Sequence, residues 1–316
     1  MSVQILADMA SKLFATAPDW TEVSELGLPE LLVPEDAGGF GGSWRDAQAV
    51  FRLAGYFGLD LPIVETILAS ALAKRPLLGE VAIADACEGT ISHNHFSGKL
   101  SNVAWGDRVE LVLAQCSGQL FLAPTSKAKV LKDQVLLGRS AASLSFDNAE
   151  VELLPWTGNL MTLAGAVITA PMAGAMDAAL EISVGYANDR EQFGKKIGKF
   201  QAVQQELAVF ALEAAAANSA SIAVFAALER GEYDFEAAAS KLRCNMAASE
   251  ATRISHQVHG AIGFTQDYIL QSFTRQIWGW RSRFGSEAFW ADQLGDITTS
   301  QNGNDFWSFM VGRDQG

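Results

Sequence analysis

YANDREQFGKKIGKFQAVQ, Tyr186 to Gln204, places Arg190, Lys195, Lys196 and Lys199 in a chain of 316 residues whose formal net charge is −13. The stretch is polar and carries Gly194 and Gly198, while the text on either side is Ala-rich and helical for most of its length. GNLMTLAGAVITAPMAGAMDAALEISVGYANDR leads into it, FQAVQQELAVFALEAAAANSASIAVFAALERG leads out, and YDFEAAASKLRCNMAASEATRISHQVHG follows. In the second of these, Phe200, Val203, Leu207, Phe210 and Ala214 fall at i, i+3, i+7, i+10 and i+14, one apolar stripe of a helix. Small alanine faces on several long helices let their backbones approach closely, so these segments predict an antiparallel bundle. The cationic stretch is then an interhelical connection, and its charges require an explanation.

The N-terminal direction has two other textures. Over roughly the first 80 residues, Leu26 to Val33 is apolar and PEDAGGFGG, Pro34 to Gly42, forces a loop. SWRDAQAVFRLAGYF restarts a helix with Ser43 as its N-cap. LDLPIVETILASALAKR supplies Ile63, Ile67, Leu68 and Leu72 near a 3.6-residue period. Between about 81 and 150 come short β-like runs, VAIA, RVELVLAQ, QLFLAP and KVLKDQVLL, separated by turn residues. The predicted architecture is mainly α with a small β domain: an N-terminal helical domain over 1–80, a reduced middle β domain over 81–155, and a C-terminal helical bundle over 156–316.

Composition narrows the function classes. A chain this long with 49% hydrophobic residues buries a substantial core. Acidic residues outnumber basic ones in both halves, so no domain is set apart to grip a nucleic-acid backbone. The N-terminus MSVQILADMASKLF lacks a basic region before an apolar run, and no uninterrupted apolar stretch reaches the roughly 20 residues of a membrane span. A cytoplasmic location is the expectation. Cys87, Cys116 and Cys244 are odd in number and have no CxxC spacing, which argues against a disulfide scaffold or a zinc site.

With the textures set, the motifs carry a resemblance. YANDREQFGKKIGKFQAVQ resembles the acyl-CoA dehydrogenase signature Tyr-Ala-x-x-Arg-x-x-Phe-Gly followed closely by Phe/His-Gln-Ala. HQVHGAIGFTQDY, His256 to Tyr268, is similar to that family's later Gln-x-x-Gly-Gly-x-Gly-Phe segment, and LGLPELLVPEDAGGFGG to its N-terminal Gly-Gly loop. The resemblance implies a fold of N-terminal helices, a middle β domain and a C-terminal four-helix bundle, with FAD shared between two subunits. It also implies that Arg190 reaches the FAD pyrophosphate of a neighbouring chain, a task that suits a planar, always-ionised guanidinium. On the same basis Gln192, Phe193, Phe200 and Gln201 fall on FAD contacts, and the segment from Gln257 through Gly260 to Ala261 falls on the adenosine half. The motif gives Lys195, Lys196 and Lys199 no cofactor role, and they read as a solvated face.

The family's chemistry needs a carboxylate to take the α-proton of an acyl-CoA while hydride passes to flavin. In the commonest arrangement this glutamate follows an arginine of the final helix by nine residues, and counting from Arg275 brings Phe284, then Gly285 and Ser286. In a second arrangement the base lies early in the first bundle helix, and counting back from Tyr186 brings Ala164, with Gly165 at the adjacent arginine position. Neither place holds a carboxylate. The middle region IADACEGT shows neither the Thr-Glu-Pro loop nor the Trp-x-Ser/Thr segment that surrounds the flavin ring, and Trp105 does not fit the spacing.

This pattern resembles the short non-catalytic subunit of heteromeric α2β2 acyl-CoA dehydrogenases of bacterial steroid side-chain degradation. The resemblance implies a catalytic paralogue as partner, FAD as cofactor, a bulky acyl-CoA as substrate and no catalytic residue in this chain. Two alternatives stay open: a self-sufficient homo-oligomeric enzyme with Glu287 as relocated base, three residues past Phe284 on one helix face, and a flavin-free structural partner protein. Plainer readings cover the other candidates. His256 and His259 lack an acidic or Cys companion for a metal, and His93 and His95 read as surface positions in an edge loop. GGFGG reads as a turn, and Trp278, Trp280 and Trp290 as core or interface anchors.

Overall fold

A computed structural model of the chain describes residues 3–77, 79–132, 141–300 and 305–313. Four helices come first: α1 (Val3–Phe14), α2 (Trp20–Glu25), α3 (Trp44–Tyr56) and α4 (Ile63–Ala73). Ser43 caps α3 as its sequence requires, its hydroxyl accepting from the Asp46 amide while the Asp46 carboxylate accepts from the Ser43 amide. The GGFGG segment is a turn that folds back on the preceding strand of chain, with Gly41 N–H bonded to Val33 C=O and Gly42 N–H to Leu31 C=O, both at 2.8 Å.

Among the described residues eight strands follow: β1 (Val81–Ile83), β2 (Ala86–Ser92), β3 (His95–Ala104), β4 (Leu111–Cys116), β5 (Gln119–Pro124), β6 (Lys129–Lys132), β7 (Ala141–Glu150) and β8 (Glu152–Leu154). They make two four-stranded sheets, ordered β1-β4-β5-β8, with β1 and β4 parallel, and β2-β3-β7-β6. Alternation explains why the first sheet reads as continuous apolar runs. Val112, Ala114, Phe121 and Ala123 face the second sheet and meet Phe96, Leu100 and Leu144 there, while Leu113, Leu120 and Leu122 face the helical core. The sequence reading passed over β2, β3 and β7, whose alternating pattern is diluted by Ser, Asn and Gly. His93 lies with Asn94, at φ 48° and 61°, in the exposed hairpin turn that joins the edge strand β2 to β3, whereas His95 is not in the loop but opens β3. The second half of KVLKDQVLL lies outside the described residues.

The remaining chain is helical: α5 (Leu160–Val167), α6 (Thr169–Asp189), the short ribbon β9 (Glu191–Gln192) and β10 (Lys195–Lys196), then α7 (Gln201–Arg230), α8 (Asp234–His259), α9 (Leu270–Ser282), α10 (Glu287–Thr299) and α11 (Phe306–Gly312). The first long segment breaks at Ile168 into α5 and α6, because Pro171 lacks the amide hydrogen that would bond back across the junction. On α7, Phe210 and Ala214 of the expected stripe are buried, and Ala217, Ser221 and Val224 continue it. The stretches 160–189 and 201–230 are long and apolar enough to cross a membrane by length and composition; the most apolar window of the first is 89% buried inside the fold, that of the second 28%. No metal-holding cluster of His, Cys, Asp and Glu occurs among the described residues.

α6 is the central helix, and it meets α3 backbone to backbone. A methyl built on Gly174 would lie within 2 Å of the Arg52 carbonyl oxygen, and one on Gly55 would overlap the Pro171 carbonyl equally badly. Gly174→Ala therefore forces the two helices apart, with an expected cost of at least about 3 kcal/mol. Urea unfolding measures this, and a loss below roughly 1 kcal/mol would show the crossing to be looser than described.

Candidate functional site

The residues singled out in the sequence gather at one end of the bundle. Arg190 ends α6 in extended conformation, with its amide bonded to Tyr186 C=O and its carbonyl accepting from Ile197 N–H, both at 2.9 Å. These two bonds pin the β9–β10 ribbon to the end of α6. The ribbon turns through Phe193 and Gly194, at φ 53° and 75°, and Phe193 is 91% exposed. Gln192, also exposed, donates its side-chain amide to Glu191 C=O. Phe200 caps α7 and Gln201 is its first residue. Phe193 meets Phe200 edge to face at 6.3 Å, and the Lys195 ammonium sits 4.3 Å over the Phe200 ring. Of the lysines read as a solvated face, Lys195 thus has a defined partner, a cation–π contact that lies outside any sequence motif.

The second group arrives from α8. Gln257 is exposed near its end, and Gly260 leaves the helix at φ 65°, ψ −144°, a conformation reserved for glycine. Gly260 has open space where a side chain would be, and Ala261 beside it is exposed. The two groups are joined one turn inward, where Tyr186 stacks on His259 with centroids 4.4 Å apart. His259 places Nδ1 2.8 Å from Ser255 C=O and Nε2 3.2 Å from the Tyr268 hydroxyl. Burial lowers the pKa of His259 and of His256, so both favour neutral imidazole. The polar groups of Arg190, Gln192, Gln201 and Gln257 face outward, and Arg190 has no ion-pair partner among the described residues. This end of the bundle thus presents an exposed guanidinium, the Phe193–Phe200 pair and a glycine with open space before it.

The opposite side of the bundle holds the two positions where a base was sought. Phe284 and Ala164 are both buried. Gly285, next to Phe284, and Gly165, next to Ala164, converge on a single side chain, that of Trp290. A methyl on Gly165 would lie 2.5 Å from Trp290 Cζ2, and one on Gly285 would lie 2.5 Å from its Nε1. The indole N–H donates to Phe284 C=O at 2.9 Å, and the residue is 2% exposed. The geometry suggested for Glu287 is overturned here: α9 stops at Ser282, Phe284 and Gly285 take φ 52° and 100°, and Ser286 caps a new helix, α10. Phe284 and Glu287 therefore share no helix face. Glu287 is instead held by Arg281, at 3.0 Å to Nε and 2.6 Å to Nη2, half-exposed rather than aimed inward.

Arg283 ties this loop to the rest of the molecule. Fully buried, it bonds Glu65 of α4 at 2.8 Å, Asp85 of the β1–β2 turn at 3.0 Å and Ile83 C=O at 3.0 Å. Behind it Lys241 of α8 donates to Asn245 Oδ1 and Trp280 C=O, and Asn245 donates to Gly285 C=O at 3.3 Å. Two cations and two carboxylates thus lie buried where helices, sheet and bundle meet. Burial pushes the Asp85 carboxyl up despite Arg283, and pushes the Lys241 ammonium down to about 7. None of the four stands out in the sequence, although Lys241 inside AAASKLRCNMAA was a signal, since a charge on the alanine face of a core helix must find a partner there.

The Lys241 shift fixes a sign. Below pH 7 the amine is charged folded and unfolded; between about 7 and its ordinary 10.5 only the unfolded chain holds the proton, so this group makes stability rise with pH. Lys241→Met is expected to remove that rise, a slope approaching one proton per molecule, when urea midpoints of the two proteins are compared from pH 7 to 10. Parallel pH profiles would contradict the assignment.

Residues 157–295 match the family profile described as acyl-CoA dehydrogenase, C-terminal domain. Among curated proteins the chain is similar to acyl-CoA dehydrogenase IpdE2 of Mycobacterium tuberculosis, 28% identical over 261 residues, covering 81% of this chain and 78% of that protein. It is also similar to acyl-CoA dehydrogenase FadE34 of the same organism, 29% identical over 301 residues, covering 90% of this chain but 42% of FadE34. Among solved structures, a chain of the ChsE4-ChsE5 complex from M. tuberculosis superposes with TM-score 0.85 at 17% identity, covering 95% of this chain and 98% of that one. A chain of the Tcur3481-Tcur3483 steroid ACAD G363A variant gives 0.84 at 22% identity, covering 94% and 98%.

Proposed function

We propose that this chain, whose residues 157–295 match the acyl-CoA dehydrogenase C-terminal domain profile and whose fold superposes on chains of the steroid ACAD and ChsE4-ChsE5 structures, is the non-catalytic subunit of a heteromeric FAD-dependent acyl-CoA dehydrogenase. In this reading it pairs with a complete paralogue as α2β2, acts in the cytoplasm and serves the α,β-desaturation of a bulky acyl-CoA, a steroid side chain being the first candidate. The observation that carries the reading is the division between the two ends of the bundle. One end presents an outward Arg190, without an ion-pair partner among the described residues, with Phe193, Phe200 and an unobstructed Gly260, while the other has packed Phe284, Ala164 and Trp290 where a base would stand.

The residues present suit half of a flavin dinucleotide. Arg190 would meet the pyrophosphate with two directed donors; Gln192, Phe193, Phe200 and Gln201 would border it, and Gln257 to Ala261 would lie along the adenosine half. FAD supplies the hydride acceptor when bound, and its reacting ring belongs with the partner chain in this reading. What this chain does is bind and orient. It holds a cationic fork in place through the Arg190–Ile197 and Arg190–Tyr186 backbone bonds, and it contributes no group that takes a proton. Glu287 is unsuited to that task, because its carboxylate is engaged by Arg281.

Expression alone and together with a complete paralogue tests the assignment. The expected result is no acyl-CoA oxidation by the chain alone and turnover by the pair. Turnover by the purified chain alone would sink it, and a stable but colourless pair would favour the flavin-free alternative.

A further inference from the structure

The Trp290 side chain stands in an unusual enclosure. Its walls are α5 at Gly165 on one side and the backbone of Phe284 and Gly285 on the other, and both glycines approach so closely that no side chain could replace them while the indole is present. The one polar atom of the ring is satisfied by the Phe284 carbonyl. The walls are also held without help from Trp290: Arg283 is anchored to Glu65, Asp85 and Ile83 C=O, and Asn245 holds Gly285 C=O. A slot whose walls are fixed from behind keeps its shape when emptied, and an apolar cavity of that kind stays dry and accepts a matching ligand.

We propose that this enclosure is a ligand-shaped slot, specific for a flat aromatic with one N–H donor, and that Trp290 is its resident occupant, sealing the place where this chain would otherwise seat an acyl group. The second half of the statement rests on the non-catalytic reading above; the first half does not. Sealing by a side chain on α10 makes the block permanent rather than regulated, so a pair of chains has one acyl position instead of two.

The test uses the full chain carrying Trp290→Ala, which keeps a good helix former in α10 and vacates the volume of indole itself. The variant is expected to melt below the wild type and to recover about 3 °C on addition of millimolar indole, with no shift in the wild type. Benzofuran, which has the same outline but no N–H, is expected to give a clearly smaller rise because the Phe284 carbonyl is left unpaired. A folded variant by circular dichroism that ignores indole, or a wild type that responds equally, overturns the slot. If Trp290→Ala fails to fold, Trp290→Leu with benzene as probe is read by the same criterion. A separate titration of the assembled pair with a non-oxidisable acyl thioester is expected to saturate at one per two chains, and saturation at one per chain overturns the seal. The indole experiment needs neither flavin nor partner, so its failure is distinct from a failure of the heteromeric assignment.

Discussion

Replacing Arg283 by Met is expected to destabilise the protein by about 3–5 kcal/mol, since it leaves Glu65 and Asp85 as carboxylates buried without their counter-charge. Burial already pushes the Asp85 carboxyl up with Arg283 in place, so its removal drives protonation or partial opening of the β1–β2 turn. The destabilisation belongs to the broken set rather than to the residue. Arg283→Met combined with Glu65→Gln and Asp85→Asn is expected to recover much of the loss, because removing a whole buried ionic set is close to neutral. Urea unfolding of the three proteins decides it: a single-variant cost below about 1 kcal/mol would mean that the ion pairs are not holding the loop. In the proposed reading the loop matters because it carries Phe284 and Gly285 against Trp290.

The second large effect falls at the other end of the bundle. Arg190→Ala in the assembled pair is expected to weaken FAD binding by about 30- to 1000-fold, the equivalent of about 2–4 kcal/mol for two charge-assisted bonds to a pyrophosphate. Arg190→Lys recovers only part of this, since an ammonium cannot offer the planar fork. The melting temperature of the chain alone should not move, because the side chain is exposed and makes no ion pair among the described residues. Flavin fluorescence titration gives the Kd values; an unchanged Kd would remove Arg190 from the cofactor site.

The two ends of the bundle were unequally legible in the sequence. Long alanine-rich segments with an apolar stripe predict the helices, and the Arg190 ribbon and the Gln257–Ala261 segment are short local motifs whose spacing survives in one dimension. Alternating Ser, Gly and Asn residues obscured β2, β3 and β7, whose stability comes from a second sheet that periodicity does not reveal. That neither Phe284 nor Ala164 is a carboxylate was countable. What fills the space was not, because Trp290, Gly165 and Gly285 converge only after α5 and the 283–286 loop pack together. The same holds for Glu65, Asp85, Lys241 and Arg283, which are ordinary charged residues until four separate segments bury them side by side. Glu287 shows the opposite failure: a helical reading carried through Gly285 placed it on the wrong element, since a residue at φ 100° ends a helix rather than continuing it.

The claim that this chain lends half of a flavin site and completes none of its own is tested most directly by the flavin-to-chain ratio. The pair of this chain with a complete dehydrogenase paralogue is purified, its protein content is measured by amino-acid analysis, and released FAD is quantified by absorbance. One FAD per two chains, none on this chain alone, and loss of that FAD on Arg190→Ala is the predicted result. One FAD per chain in the pair, or stoichiometric FAD on this chain by itself, would contradict it.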